Sequence, residues 1–187
     1  MPMTDLPGQA GQLRELAQDF EQLYTQVRDT SCTPGTDTLH TLSPLVQRTQ
    51  ALAATAITRL TALDGSTYTD VSGSRETLAT LACAAYSAAL AAADLTQGLS
   101  ANPYDGASFA GQDEPDEQAV RAARHAAATP VMARHIADAA HQLDLAAVAC
   151  HYTATAIAGQ LPRRPGAAAP APTPYREPAP GTTRRNG

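Results

Sequence analysis

The stretch "LATLACAAYSAALAAADL", residues 78–95, decides the fold, because it is nearly uncharged and rich in alanine. Charged residues stop at Glu76 and resume at Asp94, and alanine fills about half of the positions between them. A membrane-spanning helix needs about 20 predominantly apolar residues and is usually flanked by aromatic or basic anchors. Threonine and serine interrupt this segment, and neither end carries an aromatic belt or a cluster of basic residues. The sequence therefore favours a helix packed inside a water-soluble bundle over a membrane span.

Alanine dominates the composition, with 40 of the 187 residues. Alanine is the strongest helix former and has almost no side-chain entropy to lose, so this composition favours closely packed helices. All 13 basic residues are arginine, which together with the alanine and proline excess is typical of a GC-rich bacterial genome. The net charge of −5 is segregated: residues 163–187 carry +4, so the remainder carries −9. An acidic body argues against a nucleic-acid-binding surface.

Two helices are predicted in the first third of the chain. Apolar residues recur at steps of three and four over residues 11–29, which predicts an amphipathic first helix. The members of this face are Leu13, Leu16, Phe20, Leu23 and Val27. Ser43 and Pro44 combine an N-cap residue with a proline at the first helical position, so a second helix is expected from there to about Leu63.

Two further helices are predicted after residue 73. Ser74 fits the cap of the third helix, residues 97–117 are expected to form a long loop, and a further helix is expected to begin at Glu114 and Pro115. A kink or a new helix is expected at Thr129 and Pro130, because proline disrupts a helix interior. A heptad-like apolar seam then follows, made of Ala140, Leu143, Ala147, Cys150, Ala154, Ile157 and Leu161.

These patterns together predict an all-α protein, an up-and-down bundle of four to five alanine-rich helices with the third helix at its centre. Residues 1–10 are expected to be a flexible N-terminus, and residues 11–161 to form the helical bundle domain. The Pro/Ala/Arg-rich segment 162–187 is expected to be a disordered tail, because it lacks the large apolar residues that build a core.

The last helix carries most of the residues that are able to bind a metal. At 100° per residue, His135 and Asp138 fall opposite the apolar seam and are interpreted as part of a solvated stripe. The candidate metal ligands are Asp144 and His151, near the edge of the seam, together with His141. Because their spacing matches no zinc motif, solvated or capping roles are favoured, and no metal or other cofactor is expected.

A second apolar stripe on the same helix is the candidate interface. His141, Leu145, Val148 and Tyr152 follow each other at steps of four, three and four, well away from the seam. A helix with two apolar stripes usually packs on both sides. Either the segment 115–128 covers the second stripe within the chain, or a second subunit or a partner helix covers it.

The sequence has no phosphate-binding loop and no nucleophile elbow, and we assign no catalytic residue. Its three cysteines are widely spaced; Cys83 and Cys150 are expected to fill the core, as reduced thiols of a cytosolic protein. The N-terminus resembles no signal peptide, so a cytoplasmic location is expected.

The sequence favours a soluble, non-enzymatic interaction or scaffold protein of unknown pathway. It is expected to self-associate or to bind a partner helix through the last helix, and neither a nucleic acid nor a membrane is expected as a partner. The alternative is a small-ligand or metal-binding bundle, or an enzyme built on one, that uses His141, Asp144 and His151.

Overall fold

The computed structural model describes residues 5–104 and 115–160. These residues are almost entirely helical and contain no strand, which confirms the predicted all-α class. A short 3₁₀ turn, Thr67–Asp70, follows the second helix. The four helices are α1 (Leu6–Arg28), α2 (Asp37–Asp64), α3 (Ser74–Ser100) and α4 (Pro115–Gly159).

The helices form an up-and-down bundle, as predicted. Each packs against its neighbour in the chain, and α4 closes the bundle by packing against α1 as well as α3. Polar contacts show that α1 and α2 run in opposite directions. Arg59, late in α2, donates to Gln12 near the start of α1 at 2.7 Å, and Arg48 donates to Gln26 near the end of α1 at 3.0 Å.

The core is built from the faces that the periodicity predicts. All five apolar residues of the predicted first-helix face are buried, and Phe20 is among the largest fully buried side chains. The seam of α4 is also buried from Ala140 to Ile157, while Leu161 lies outside the described residues. The helix α1 begins earlier than predicted, with Ala10 buried and the Asp5 side chain accepting a hydrogen bond from the Gly8 N–H. The part of the predicted flexible N-terminus from Leu6 onwards is therefore helical.

The prediction that α2 starts at Ser43 and Pro44 is wrong. The helix begins at Asp37 and continues through Pro44. Thr38 and Leu42 are both buried, so tertiary packing holds the extra turns in place. A proline at this position removes a backbone hydrogen bond, but it does not prevent the preceding residues from being helical.

A buried amide connects the start of α2 to the end of α3. The Gly35 N–H donates to Asn102 Oδ1 at 2.8 Å, and Asn102 Nδ2 donates to the Gly35 carbonyl at 2.9 Å. Asn102 is only 4% exposed. Gly35 has a φ of +139°, which L residues rarely adopt, so glycine is required there. We call this pair of hydrogen bonds the Asn102–Gly35 clasp.

The helix α3 is not central, because it packs against α2 and α4 and leaves an outer face exposed that includes Cys83 and Tyr86. It runs to Ser100, so residues 97–100 of the predicted loop are helical, and residues 105–114 lie outside the described part. By length and composition alone this helix is able to cross a membrane. Core helices of water-soluble bundles meet the same criterion, and here its inner face is buried against α2 and α4.

The helix α4 begins at Pro115, as predicted, and continues through Pro130 as one helix. Of the two alternatives at Thr129 and Pro130, the structure therefore excludes a second, separate helix. Most residues from 117 to 127, which we call the α4 extension, are exposed, whereas Met132 is fully buried. The predicted tail, residues 162–187, lies outside the described residues.

Candidate functional site

Exposed apolar side chains run along the outward side of α4. The predicted interface residues Leu145, Val148 and Tyr152 are all exposed, Tyr152 by 64%, and His141 is exposed beside them. The segment 115–128 cannot cover them, because it is the beginning of the same continuous helix. Within residues 5–104 and 115–160, these side chains are free for contact with another molecule.

The exposed face continues beyond the four predicted residues. At 100° per residue, the exposed Val120 and Val131 fall in the same sector as Tyr152, within an arc of about 100°. Arg134 and Asp138 lie in the middle of this sector, with Arg134 Nε 4.0 Å from Asp138 Oδ2. We define the α4 outer face by these exposed residues: Val120, Val131, Arg134, Asp138, His141, Leu145, Val148 and Tyr152.

Two of the three predicted metal ligands line a groove between α1 and α4. His141 and Asp144 border an open cavity of about 540 Å³, whose other walls include Tyr24, Arg28 and Cys32. The Arg28 guanidinium lies 5.4 Å from the Tyr24 ring centroid and is paired with the adjacent carboxylate of residue 29. The groove thus combines aromatic, cationic and anionic groups above a floor of alanines.

The third predicted ligand, His151, lies apart from the other two. Its Nε2 is 2.9 Å from Glu21 Oε1, so this imidazole is paired with α1. Among the described side chains, His141, Asp144 and His151 do not bring their ligand atoms together around one point. The predicted metal set is therefore not assembled in this fold.

A different cluster of potential ligands lies between α3 and α4. Ligand atoms of Asp94, His135 and Asp138 all lie within 4.8 Å of one another. The interpretation of His135 as part of a solvated stripe is wrong: its side chain is 17% exposed and faces Asp94 of α3. The α3–α4 contact extends further around α4 than the apolar seam indicates. The sequence signal for this cluster is Asp94, the charged residue that ends the apolar run of α3.

The cysteines differ in their surroundings. Cys150 is buried in the core, as predicted, and burial raises its pKa to about 12. Cys32 is half-buried, and burial also raises its pKa. Cys83 is exposed on the outer face of α3, so the prediction that it fills the core is wrong. Burial therefore disfavours the reactive thiolate form of Cys32 and Cys150.

A second apolar groove lies between α2 and α3. Its cavity of about 560 Å³ is lined mainly by alanines and by the exposed Ile57. The small side chains that let these helices approach closely also leave this shallow depression.

No family model matches the chain, and no curated protein or solved structure matches it significantly.

Proposed function

We propose that this protein is a soluble, non-enzymatic helical-bundle protein that self-associates through the α4 outer face. The observation that carries the proposal is the exposure of Leu145, Val148 and Tyr152 on one side of the longest helix of the described chain. Aromatic and aliphatic side chains that are desolvated together are the usual centre of a protein interface.

The charges on the α4 outer face favour an antiparallel pairing of two copies. In a two-fold symmetric dimer, the same surface patch meets itself, so a residue and its contact are exchanged between subunits. If the two-fold axis passes beside α4 midway between Arg134 and Asp138, Arg134 of each subunit faces the aspartate at position 138 of the other subunit. Residues at equal distances from this midpoint then face each other, which brings Tyr152 opposite Val120.

The same register pairs the other members of the face. Leu145 lies opposite Ala127, which is exposed in the α4 extension, and His141 lies opposite Val131. Tyr152 and Leu145 of the second half of α4 therefore meet small or apolar residues of the first half, whereas Val148 lies opposite Arg124. This arrangement places no like charges opposite each other.

The size of the face indicates a weak dimer. Residues 120–152 span about 48 Å at 1.5 Å per residue, and a helix is about 10 Å wide. Each subunit would cover about 480 Å², or about 1,000 Å² in total, which is near the lower limit for specific interfaces. We therefore expect the dimer to dissociate on dilution.

Sedimentation velocity over a range of concentrations tests the proposal. The wild-type chain should shift from monomer to dimer, and Tyr152→Arg should remain monomeric. Tyr86→Arg is the matched control, because Tyr86 is 65% exposed on α3, away from the α4 outer face. A wild-type chain that stays monomeric up to about 1 mM, the concentration that matches a Kd of 1 mM, would contradict self-association, as would equal effects of the two substitutions.

Charge reversal tests the register. Arg134→Glu or Asp138→Arg alone should weaken the dimer, since each places like charges across the two-fold axis. The double variant should restore it, because opposite charges then face each other again. The pair is exposed, so each change should leave the stability of the monomer nearly unaltered. A double variant no better than the single variants would refute this register.

The groove between α1 and α4 supports a second candidate function, the binding of a small ligand. This second function is supported by the cavity of about 540 Å³ that His141 and Asp144 line together with Arg28 and Tyr24. A thermal-shift screen against small anions and metabolites tests it, with Asp144→Ala as the variant. A flat response across the panel would contradict this second function.

A further inference from the structure

The cluster between α3 and α4 has the composition of a metal site. His135 Nδ1 lies 3.9 Å from Asp94 Oδ1, and a ligand oxygen of Asp138 completes a group within 4.8 Å. The side chains of Asp94 and His135 are mostly buried, with 28% and 17% exposed, whereas Asp138 is 57% exposed. Two helices therefore supply the group, and one side remains open to solvent.

The histidine has a polar atom that the fold leaves unsatisfied. His135 Nδ1 is buried and has no hydrogen-bond partner, since Asp94 at 3.9 Å is too far away. Leaving a buried nitrogen unpaired costs free energy, so such atoms are rare in native proteins. A cation between His135 and the carboxylates would satisfy this nitrogen. It would also balance the negative charges of the Asp94 and Asp138 carboxylates, which lie close together.

We propose that Asp94, His135 and Asp138 bind a divalent transition-metal ion of the zinc class. Zinc binds imidazole nitrogen and carboxylate oxygen at about 2.0–2.2 Å, which places neighbouring ligand atoms of a tetrahedral site about 3.4 Å apart. Small side-chain rotations bring the observed 3.9 Å to that value. The imidazole disfavours Mg²⁺ and Ca²⁺, which take oxygen ligands. Three protein ligands leave a fourth position for water.

Arg134 is the group that competes with the ion. Its Nε lies 4.0 Å from Asp138 Oδ2, and its side chain is 72% exposed. An exposed ion pair of this kind contributes little free energy, so a bound metal displaces the guanidinium into solvent. Binding of the ion therefore requires movement of an exposed side chain and no rearrangement of the core.

Calorimetric titration of the full-length chain, stripped of metal with a chelator, tests the site. Zn²⁺ should bind with one ion per chain. His135→Ala should weaken binding at least tenfold, and Asp94→Asn should also weaken it while keeping the shape of the side chain. The matched control is His40→Ala, which removes an exposed histidine of α2 outside the cluster. Binding to His40→Ala should equal that of the wild type.

Co²⁺ provides a second readout, because its visible absorption reports the coordination geometry. The wild type and His40→Ala should show the spectrum of a four-coordinate site, and His135→Ala should lose it. Wild-type binding no tighter than that of His135→Ala would overturn the proposal, and so would an equal loss in the control. If His135→Ala fails to fold by circular dichroism, Asp94→Asn decides the question.

The metal site shares Asp138 with the α4 outer face, but all three of its ligands come from one chain, so binding of the ion does not require the dimer. Titration of the Tyr152→Arg variant, which leaves all three ligands intact, separates the two. Unchanged Zn²⁺ binding in that variant supports a site contained within one chain. Loss of binding would show that the site needs the dimer, and would contradict a ligand set drawn from Asp94, His135 and Asp138 of a single chain.

Discussion

Removal of the Asn102–Gly35 clasp tests how the ends of the helices are held together. The variant Asn102→Ala deletes both side-chain groups of the clasp. The amide nitrogen donates to the Gly35 carbonyl at 2.9 Å, and the amide oxygen accepts from the Gly35 N–H at 2.8 Å. Both backbone groups then lose their partner in a part-buried position. At about 1–2 kcal/mol for each orphaned group, the free energy of unfolding should fall by roughly 2–4 kcal/mol.

The expected change in melting temperature follows from the size of the bundle. For a domain of about 150 residues, 1 kcal/mol corresponds to a shift of about 2–4 °C, so Asn102→Ala should melt roughly 4–16 °C lower. Differential scanning calorimetry measures this directly. The matched control is Gln160→Ala, which removes an exposed amide whose hydrogen bond to the Ser72 carbonyl is long, at 3.4 Å. That control should shift the melting temperature by less than about 2 °C.

The variant Asn102→Asp separates the two hydrogen bonds of the clasp. The new carboxylate can still accept from the Gly35 N–H, but it cannot donate to the Gly35 carbonyl while ionised. Burial and that carbonyl should raise its pKa in the folded state, so the folded chain binds the proton more tightly than the unfolded chain. Stability relative to wild type should then be greater at low pH and decrease as the pH rises through the folded pKa. The reasoning would be refuted if the loss of stability in Asn102→Asp were independent of pH. It would also be refuted if the Tm of Asn102→Ala lay within about 1 °C of wild type.

Two further predictions test the core. Phe20→Ala should lower the free energy of unfolding by about 3–5 kcal/mol, because Phe20 is fully buried; Ile57→Ala, at a position 54% exposed, should cost below about 1 kcal/mol in the same denaturant titration. A maleimide at pH 8 should label Cys83 quickly and Cys150 only on unfolding, because Cys83 is exposed and the pKa of Cys150 is about 12. Rapid labelling of Cys150 in the folded chain, detected by mass spectrometry, would contradict the packing of α4.

Elements with a strong apolar period could be predicted from the sequence. The buried face of α1, the seam of α4 and the proline start of α4 all follow from local patterns that the tertiary structure reinforces. The start of α2 could not be predicted in the same way. The cap signature at Ser43 and Pro44 is local, whereas the burial of Leu42 and the clasp formed by Asn102 depend on α3.

The candidate sites were harder to predict, because they depend on the angle at which helices meet. The exposure of Leu145, Val148 and Tyr152 follows from their distance from the seam. The pairing of His135 with Asp94 could not be predicted in this way, because it depends on how far the contact with α3 extends around α4. Alanine-rich helices approach closely, so residues at the edge of a predicted solvent face come within reach of the neighbouring helix.

The proline within α4 divides the helix into two parts whose amide hydrogens are unequally protected from exchange with solvent. Pro130 has no N–H, so the Ala126 carbonyl receives no bond from that position, while Met132 just beyond it is anchored in the core. Amide hydrogens in residues 117–127 should therefore exchange with solvent deuterium much faster than those after Met132. A molecule that settles on the first part of α4 would then be detected as slowed exchange confined to that side of the proline.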